Sequence, residues 1–149
     1  MNELPAIEVL VPHAIPMLLL DKLVESGDDY LICELIVRGD GLFDTEGRVP
    51  AWLGMEYMAQ TVAAYSGLQA HQRGEPVKLG FLLGSRRFET NVEDFACGDI
   101  LRVTVKRIVH GGSGMGAFEC VVEGQKSRQA ATLAVYEPPV QEDLKRIIK

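Results

Sequence analysis

The sequence lacks several features that would decide a function class at once. No apolar run approaches the roughly 20 residues that span a bilayer, which argues against a transmembrane helix. The opening MNELPAIEVLVPHAIP is broken by prolines and has no basic n-region, so it does not read as a signal peptide. The three cysteines, Cys33, Cys97 and Cys120, are odd in number and show no CxxC spacing. That excludes a disulfide framework and a zinc site, and leaves reduced thiols of a cytoplasmic protein as the expectation. No cluster has metal-ligand spacing. The GGSGMG run at residues 111–116 lacks the lysine-and-hydroxyl ending of a phosphate loop, and no long helix follows it, so it reads as a hairpin loop. Cations are outnumbered, with 15 Lys and Arg against 21 Asp and Glu and a net charge of −6. This argues against a general nucleic-acid binder but leaves room for a small basic patch that docks an acidic partner. There is no internal repeat and no low-complexity linker.

The 149 residues suit one domain over 1–149, and 47% hydrophobic with 24% charged residues is an ordinary globular balance. A turn-rich arm (1–16) precedes LLLDKLVESGDDYLICELIV, which reads as two strands around the polar turn at residues 25–29. RGDGLFDTEGRVP is a loop set by glycine, aspartate and proline. From Ala51 to about Arg73 good helix formers dominate without a proline; Pro50 fits the start and Gly74 the stop. Four runs rich in β-branched or aromatic residues follow: KLGFLLGSRRFETNV, DILRVTVKRIVH, GAFECVVEG and RQAATLAVYE. Turns are expected between them, at residues 95–98, 111–114 and 124–127. The ending (140–149) is a short amphipathic helix or a loose tail. The fold class is therefore α+β, one long helix packed on an antiparallel sheet.

The helix carries PAWLGMEYMAQT at residues 50–61, apolar or small apart from Glu56 and Gln60. Glu56, Gln60 and Ala63 share one face, with Trp52 one turn earlier, while Leu53, Tyr57, Thr61 and Ala64 form the neighbouring stripe. Every face of the first four turns is largely apolar. Two readings of Glu56 stand. It is a poorly hydrated carboxylate suited to proton transfer and held by the Gln60 amide, or it reaches solvent at the positive end of the helix.

PAWLGMEYMAQ resembles the central-helix motif of the FabZ/FabA-type 3-hydroxyacyl carrier-protein dehydratases, Pro-Gly-x-x-x-x-Glu/Asp-x-Met-x-Gln. VPHAIPMLLLDKLV (residues 11–24) resembles that family's N-terminal signature, and RRFETNVEDFACGD (residues 86–99) its strand-and-turn segment ending in Gly-Asp, with about two extra residues. The resemblance covers nearly the whole chain and is closest to the hotdog dehydratases associated with aryl-polyene biosynthesis. It implies the hotdog fold, a long central helix wrapped by a curved antiparallel sheet, and an active site shared between two subunits. It also implies a 3-hydroxyacyl thioester substrate on an acyl carrier protein or coenzyme A, and no cofactor. By the same resemblance Glu56 is the acid/base carboxylate, contributed across the dimer, and Gln60 its helical neighbour. The N–H of Ala51, in place of the motif glycine, would polarise the thioester carbonyl.

One departure matters most. The family's catalytic histidine lies in a Gly-His-Phe loop fourteen residues before the carboxylate, and there this chain has Gly41-Leu42-Phe43. Leucine transfers no proton. Of the three histidines, His13 matches the N-terminal Pro-His and is either a packed loop residue or a substitute base; His71 and His110 are expected at the surface. Three readings follow: a dehydratase with a rearranged base, one subunit of a hetero-oligomeric dehydratase whose paralogous hotdog partner supplies the histidine, or an acyl-chain binder or hotdog thioesterase. A homodimer would serve the first. Leu42, Phe43, Trp52, Phe81 and Leu82 are candidates to line an acyl tunnel, though core packing explains such residues as well. Arg86 and Arg87, with Arg73 and Lys78, would give the mouth a positive charge for carrier docking or are ordinary solvated charges. Adjacent on a strand, Arg86 and Arg87 are expected to point to opposite faces.

Overall fold

A computed structural model describes residues 4–10, 18–39, 43–76, 81–110 and 114–136. His13, Leu42, Lys78 and the 140–149 tail lie outside the described residues. In chain order the elements are a one-turn helix α1 (Ile7–Leu10), strands β1 (Lys22–Ser26), β2 (Tyr30–Ile36) and β3 (Arg48–Pro50), and the long helix α2 (Leu53–Gln72). Strands β4 (Phe81–Thr90), β5 (Asp94–Ala96), β6 (Ile100–His110), β7 (Met115–Glu123) and β8 (Arg128–Tyr136) follow.

Six strands form one antiparallel sheet in the order β1-β2-β6-β7-β8-β4. The hairpin connections β1–β2, β6–β7 and β7–β8 come straight from the sequence pattern. β4, which follows the helix, crosses to the far edge and pairs with β8. Alternation decides the core. Leu31, Cys33 and Leu35 of β2, Leu101, Val103 and Val105 of β6, and Phe118, Cys120 and Val122 of β7 are buried at every second position, and they cover one side of α2. Burial pushes the Cys33 and Cys120 thiols up to about 12, so both are inert neutral side chains of the core. From the helix, Leu53, Tyr57, Met58, Thr61, Val62, Ala64, Tyr65 and Leu68 are buried in return. At Gly67 a Cβ would lie 2.2 Å from the carbonyl oxygen of Leu10, so the glycine lets α1 seat directly on the helix backbone. The α2 stripe least covered by the sheet runs through exposed Trp52 and half-buried Met55, Glu56, Ala59 and Ala63.

Two strands are additional to those read from the sequence. β3 lies in the segment expected to be a loop, and β5 overlaps the expected turn at 95–98. They pair with each other, Arg48 with Ala96, Val49 with Phe95 and Pro50 with Asp94, reinforced by an Arg48–Asp94 ion pair at 2.6 Å. Each is three residues long, too short to show an alternation. Their role is positional, because β3 runs directly into the start of α2.

Candidate active site

Glu56 sits in the first turns of α2, half-buried. Gln60, one turn later and fully buried, donates from Nε2 to Glu56 Oε1 at 3.0 Å. Its own Oε1 accepts the backbone N–H of Leu19 at 2.8 Å. The amide is therefore fixed at both ends, and it fixes the carboxylate in turn. A buried glutamine satisfied in this way is a rigid support, since breaking either bond strands a polar group away from water. Glu56 is thus held by Gln60 while staying partly exposed.

The helix start is built from three directions. Its N-cap residue, Trp52, gives no side-chain cap. Instead the β3–β5 ladder continues one residue beyond Pro50, so the N–H of Ala51 donates to the carbonyl of Glu93 at 3.0 Å. This corrects the expectation for Ala51: its N–H is already engaged by the protein and is not presented to a thioester. The Ala51 carbonyl accepts from the N–H of Gly54 at 3.0 Å and from the Gln129 side chain of β8 at 2.8 Å. Gln129 is 1% exposed, and it reaches the helix because Gly54 has no side chain; a Cβ there would lie 1.6 Å from Gln129 Oε1.

Phe43 is half-buried and lines a narrow cleft with Leu19, Leu35, Arg38, Leu53 and Tyr57. Burial raises the Tyr57 hydroxyl above its ordinary range, a shift the Arg38 guanidinium partly opposes. The cleft has room for about one water, so it is not by itself a tunnel for an acyl chain. Trp52 is 61% exposed and flanks Glu56 on the same stripe. Leu82 is exposed on the edge strand β4, away from the cleft. His71 is exposed at the far end of the helix.

The two arginines depart from expectation. Opposite three residues of β8, from Thr132 to Ala130, β4 places four, from Arg86 to Glu89. The extra residue is a bulge, and Arg87 takes up its left-handed backbone with φ 55°. Phe88 then packs inward, while Arg86 and Arg87 both line the outer face of the sheet, in adjoining hollows that meet at Thr132. They do not point to opposite faces. They also stand on the side away from α2, and Arg73 is occupied by Glu75 at 3.2 Å. Glu56, Gln60 and Trp52 are thus brought together, with Phe43 on the adjacent cleft, whereas Arg86 and Arg87 belong to a separate surface of the chain. Gln129 and Gly54 were missed in the sequence; a glycine in the first turn of a helix, which weakens the helix by about 1 kcal/mol relative to alanine, was the available signal.

The sequence profile of the ApeP-like family, described as ApeP dehydratase, matches residues 5–149. The chain belongs to the ApeP-like dehydratase family. The dehydratase heterocomplex ApeI:P from Xenorhabdus doucetiae contains a chain 27% identical, superposing with a TM-score of 0.85 over 97% of this chain and 99% of that one. Hotdog proteins at lower identity share the architecture. A hypothetical thioesterase from Streptococcus pneumoniae solved with coenzyme A is 12% identical, with a TM-score of 0.60 over 78% of this chain and 84% of that one. PaaI from the phenylacetic acid degradation operon of Escherichia coli is 10% identical, with a TM-score of 0.58 over 76% and 80%. No curated protein matches the chain. As an ApeP-like protein it has the hotdog fold and a dehydratase-like function.

Proposed function

We propose that this ApeP-like protein removes water from a 3-hydroxyacyl thioester on an acyl carrier protein, as one subunit of a hetero-oligomeric dehydratase. The observation that carries the reading is the clamped carboxylate: Glu56 held half-buried by Gln60, which is itself anchored on Leu19. Dehydration breaks the C2–H and C3–OH bonds. One group takes the C2 proton, another delivers a proton to the departing hydroxyl, and water leaves as the C2–C3 double bond forms. Glu56 supplies one of these two transfers. The second needs another titratable group, and the family's histidine position holds Leu42. A histidine-bearing hotdog partner in the cytoplasm supplies it in this reading. The heterocomplex in which the related Xenorhabdus chain was solved supports it.

The test is mass spectrometry of a 3-hydroxyacyl carrier-protein thioester incubated with the purified chain alone, and with a histidine-bearing hotdog partner. The expected result is no turnover alone and a product lighter by one water with the partner. A dehydrated product from the chain alone would replace this reading by a complete site with a rearranged base, and His13 would be the next residue to change. Release of free acid would make the protein a thioesterase.

Arg86 and Arg87 are proposed to dock the carrier protein. Neither forms an ion pair among the described residues, and the bulge that strains Arg87 turns both cations onto one surface. Carrier proteins of this kind are acidic, so steering acts on encounter more than on chemistry. The Arg86→Ala/Arg87→Ala variant should raise KM for the carrier-bound substrate about 10-fold, most strongly at low salt, and leave the pantetheine thioester unaffected. Equal effects on both substrates would remove the docking role.

A further inference from the structure

β4 has one side unused. It ends the six-stranded sheet and pairs only with β8. At 10 residues it is twice as long as β1 at the opposite edge, which has 5. Every residue from 82 to 87 is exposed, including Leu82 at 48% and Leu83 at 53%. A long free edge presents a row of unpaired backbone N–H and C=O groups, and soluble chains shorten it, charge it or cover it. Two neighbouring exposed leucines fit an edge that is covered in the assembled protein.

Two bulges leave little of that edge regular. One lies between Leu82 and Gly84, the other between Arg86 and Glu89; between them Gly84, Ser85 and Arg86 stay in register with Ala134, Leu133 and Thr132. An added strand therefore has one straight segment to pair with, centred on Ser85. If that strand came from a second copy of this chain, a twofold axis would pass through the sheet at Ser85 or at its neighbour Arg86. An axis at Arg86 sets the two Arg86 residues directly opposite, with Cβ atoms about 5 Å apart; an axis at Ser85 sets them on the diagonal, about 7–8 Å apart. Such an axis stands perpendicular to the sheet, so outer face continues into outer face. Both Arg87 side chains join the pair there, because Arg86 and Arg87 both line the outer face. Glu89 and Glu119 line the hollow beside Arg87, yet neither arginine forms an ion pair among the described residues. Four guanidiniums gathered at one seam oppose self-pairing, since like charges facing each other across strands are destabilising.

We infer that the free edge of β4 discriminates against a second copy of this chain and selects a hotdog subunit with carboxylates on the outer face of its own edge strand, opposite Arg86 and Arg87. This rests on the hetero-oligomeric dehydratase reading and adds what chooses the partner. Pairing in the plane of the sheet leaves the outer face open to solvent, so carrier docking by the same arginines is not blocked.

An acidic edge can be supplied by this chain itself. Analytical ultracentrifugation compares the full chain, its Arg86→Glu/Arg87→Glu variant and their equimolar mixture, with circular dichroism as the folding control. At low salt the mixture should associate at least about 10-fold more tightly than either protein alone, and the gap should shrink at high salt, where the charges are screened. The neutral Arg86→Gln/Arg87→Gln variant should self-associate more tightly than the parent, which decides the matter even if the glutamate variant misfolds. Hydrogen exchange of the amides of residues 82–87 should slow in the mixture and not in the parent alone, which locates the contact on β4. A parent that self-associates as tightly as the mixture, a neutral variant no tighter than the parent, or a mixture whose β4 amides stay unprotected would overturn the inference. The turnover assay with a histidine-bearing partner is read separately. Turnover by the chain alone defeats the hetero-oligomeric reading, whereas partner-dependent turnover without tightening in the mixture defeats only the selection by charge.

Discussion

Replacing Glu56 by glutamine should lower turnover of the assembled dehydratase by at least about 10²-fold while leaving fold and assembly intact. The substitution is close to isosteric. The new amide keeps an oxygen that can accept from Gln60 Nε2, so the contact to Gln60 and, through it, to Leu19 is preserved. The half-buried position exchanges one polar group for another, so melting should shift by no more than a few degrees. What disappears is the ability to take or give a proton. The measurement is single-turnover mass spectrometry of the 3-hydroxyacyl carrier thioester, with circular dichroism and size-exclusion chromatography as folding controls. Turnover within a factor of two of the parent would show that Glu56 is a structural carboxylate and that the proton chemistry lies elsewhere.

The sequence made the helix legible because nothing interrupts it between Pro50 and Gly74, and because its apolar residues lie on nearly every face. Four of the five strands after the helix were legible from β-branched composition and glycine turns. The Glu56–Gln60 contact followed from i, i+4 spacing alone. The parts that were not legible depend on distant residues. Nothing near Ala51 shows that Glu93, 42 positions later, takes its N–H; that follows from the pairing of two strands too short to see. Nothing near Arg87 announces a left-handed residue, since the usual marker is glycine and here an arginine adopts it. Gln129 lies 78 residues from the carbonyl it holds. On β8 it reads as one polar side chain in RQAATLAVY, and only the fold turns it toward the helix. Local periodicity determined the elements, whereas the environment of the site depended on which strand ends and side chains met at the start of α2.

The absence of histidine at position 42 gives the last prediction its asymmetry. In the FabZ-type arrangement each site joins the histidine loop of one subunit to the helix carboxylate of the other. A pair made of this chain and a histidine-bearing hotdog partner then contains two unequal sites. One combines the partner's histidine with Glu56; the other combines Leu42 with the partner's helix carboxylate and has no histidine. Three mixed assemblies separate these. Glu56→Gln paired with the normal partner should be inactive, down at least about 10²-fold. This chain paired with a partner lacking its histidine should be equally inactive. This chain paired with a partner whose helix carboxylate is made an amide should keep essentially full activity per pair, because the carboxylate removed served only the site without a histidine. Stoichiometry follows as well: a mechanism-based inhibitor should label one site per pair, not two. If removing the partner's carboxylate stops turnover while Glu56→Gln does not, the partner is the enzyme, and this chain is a structural subunit that binds acyl chains without transforming them.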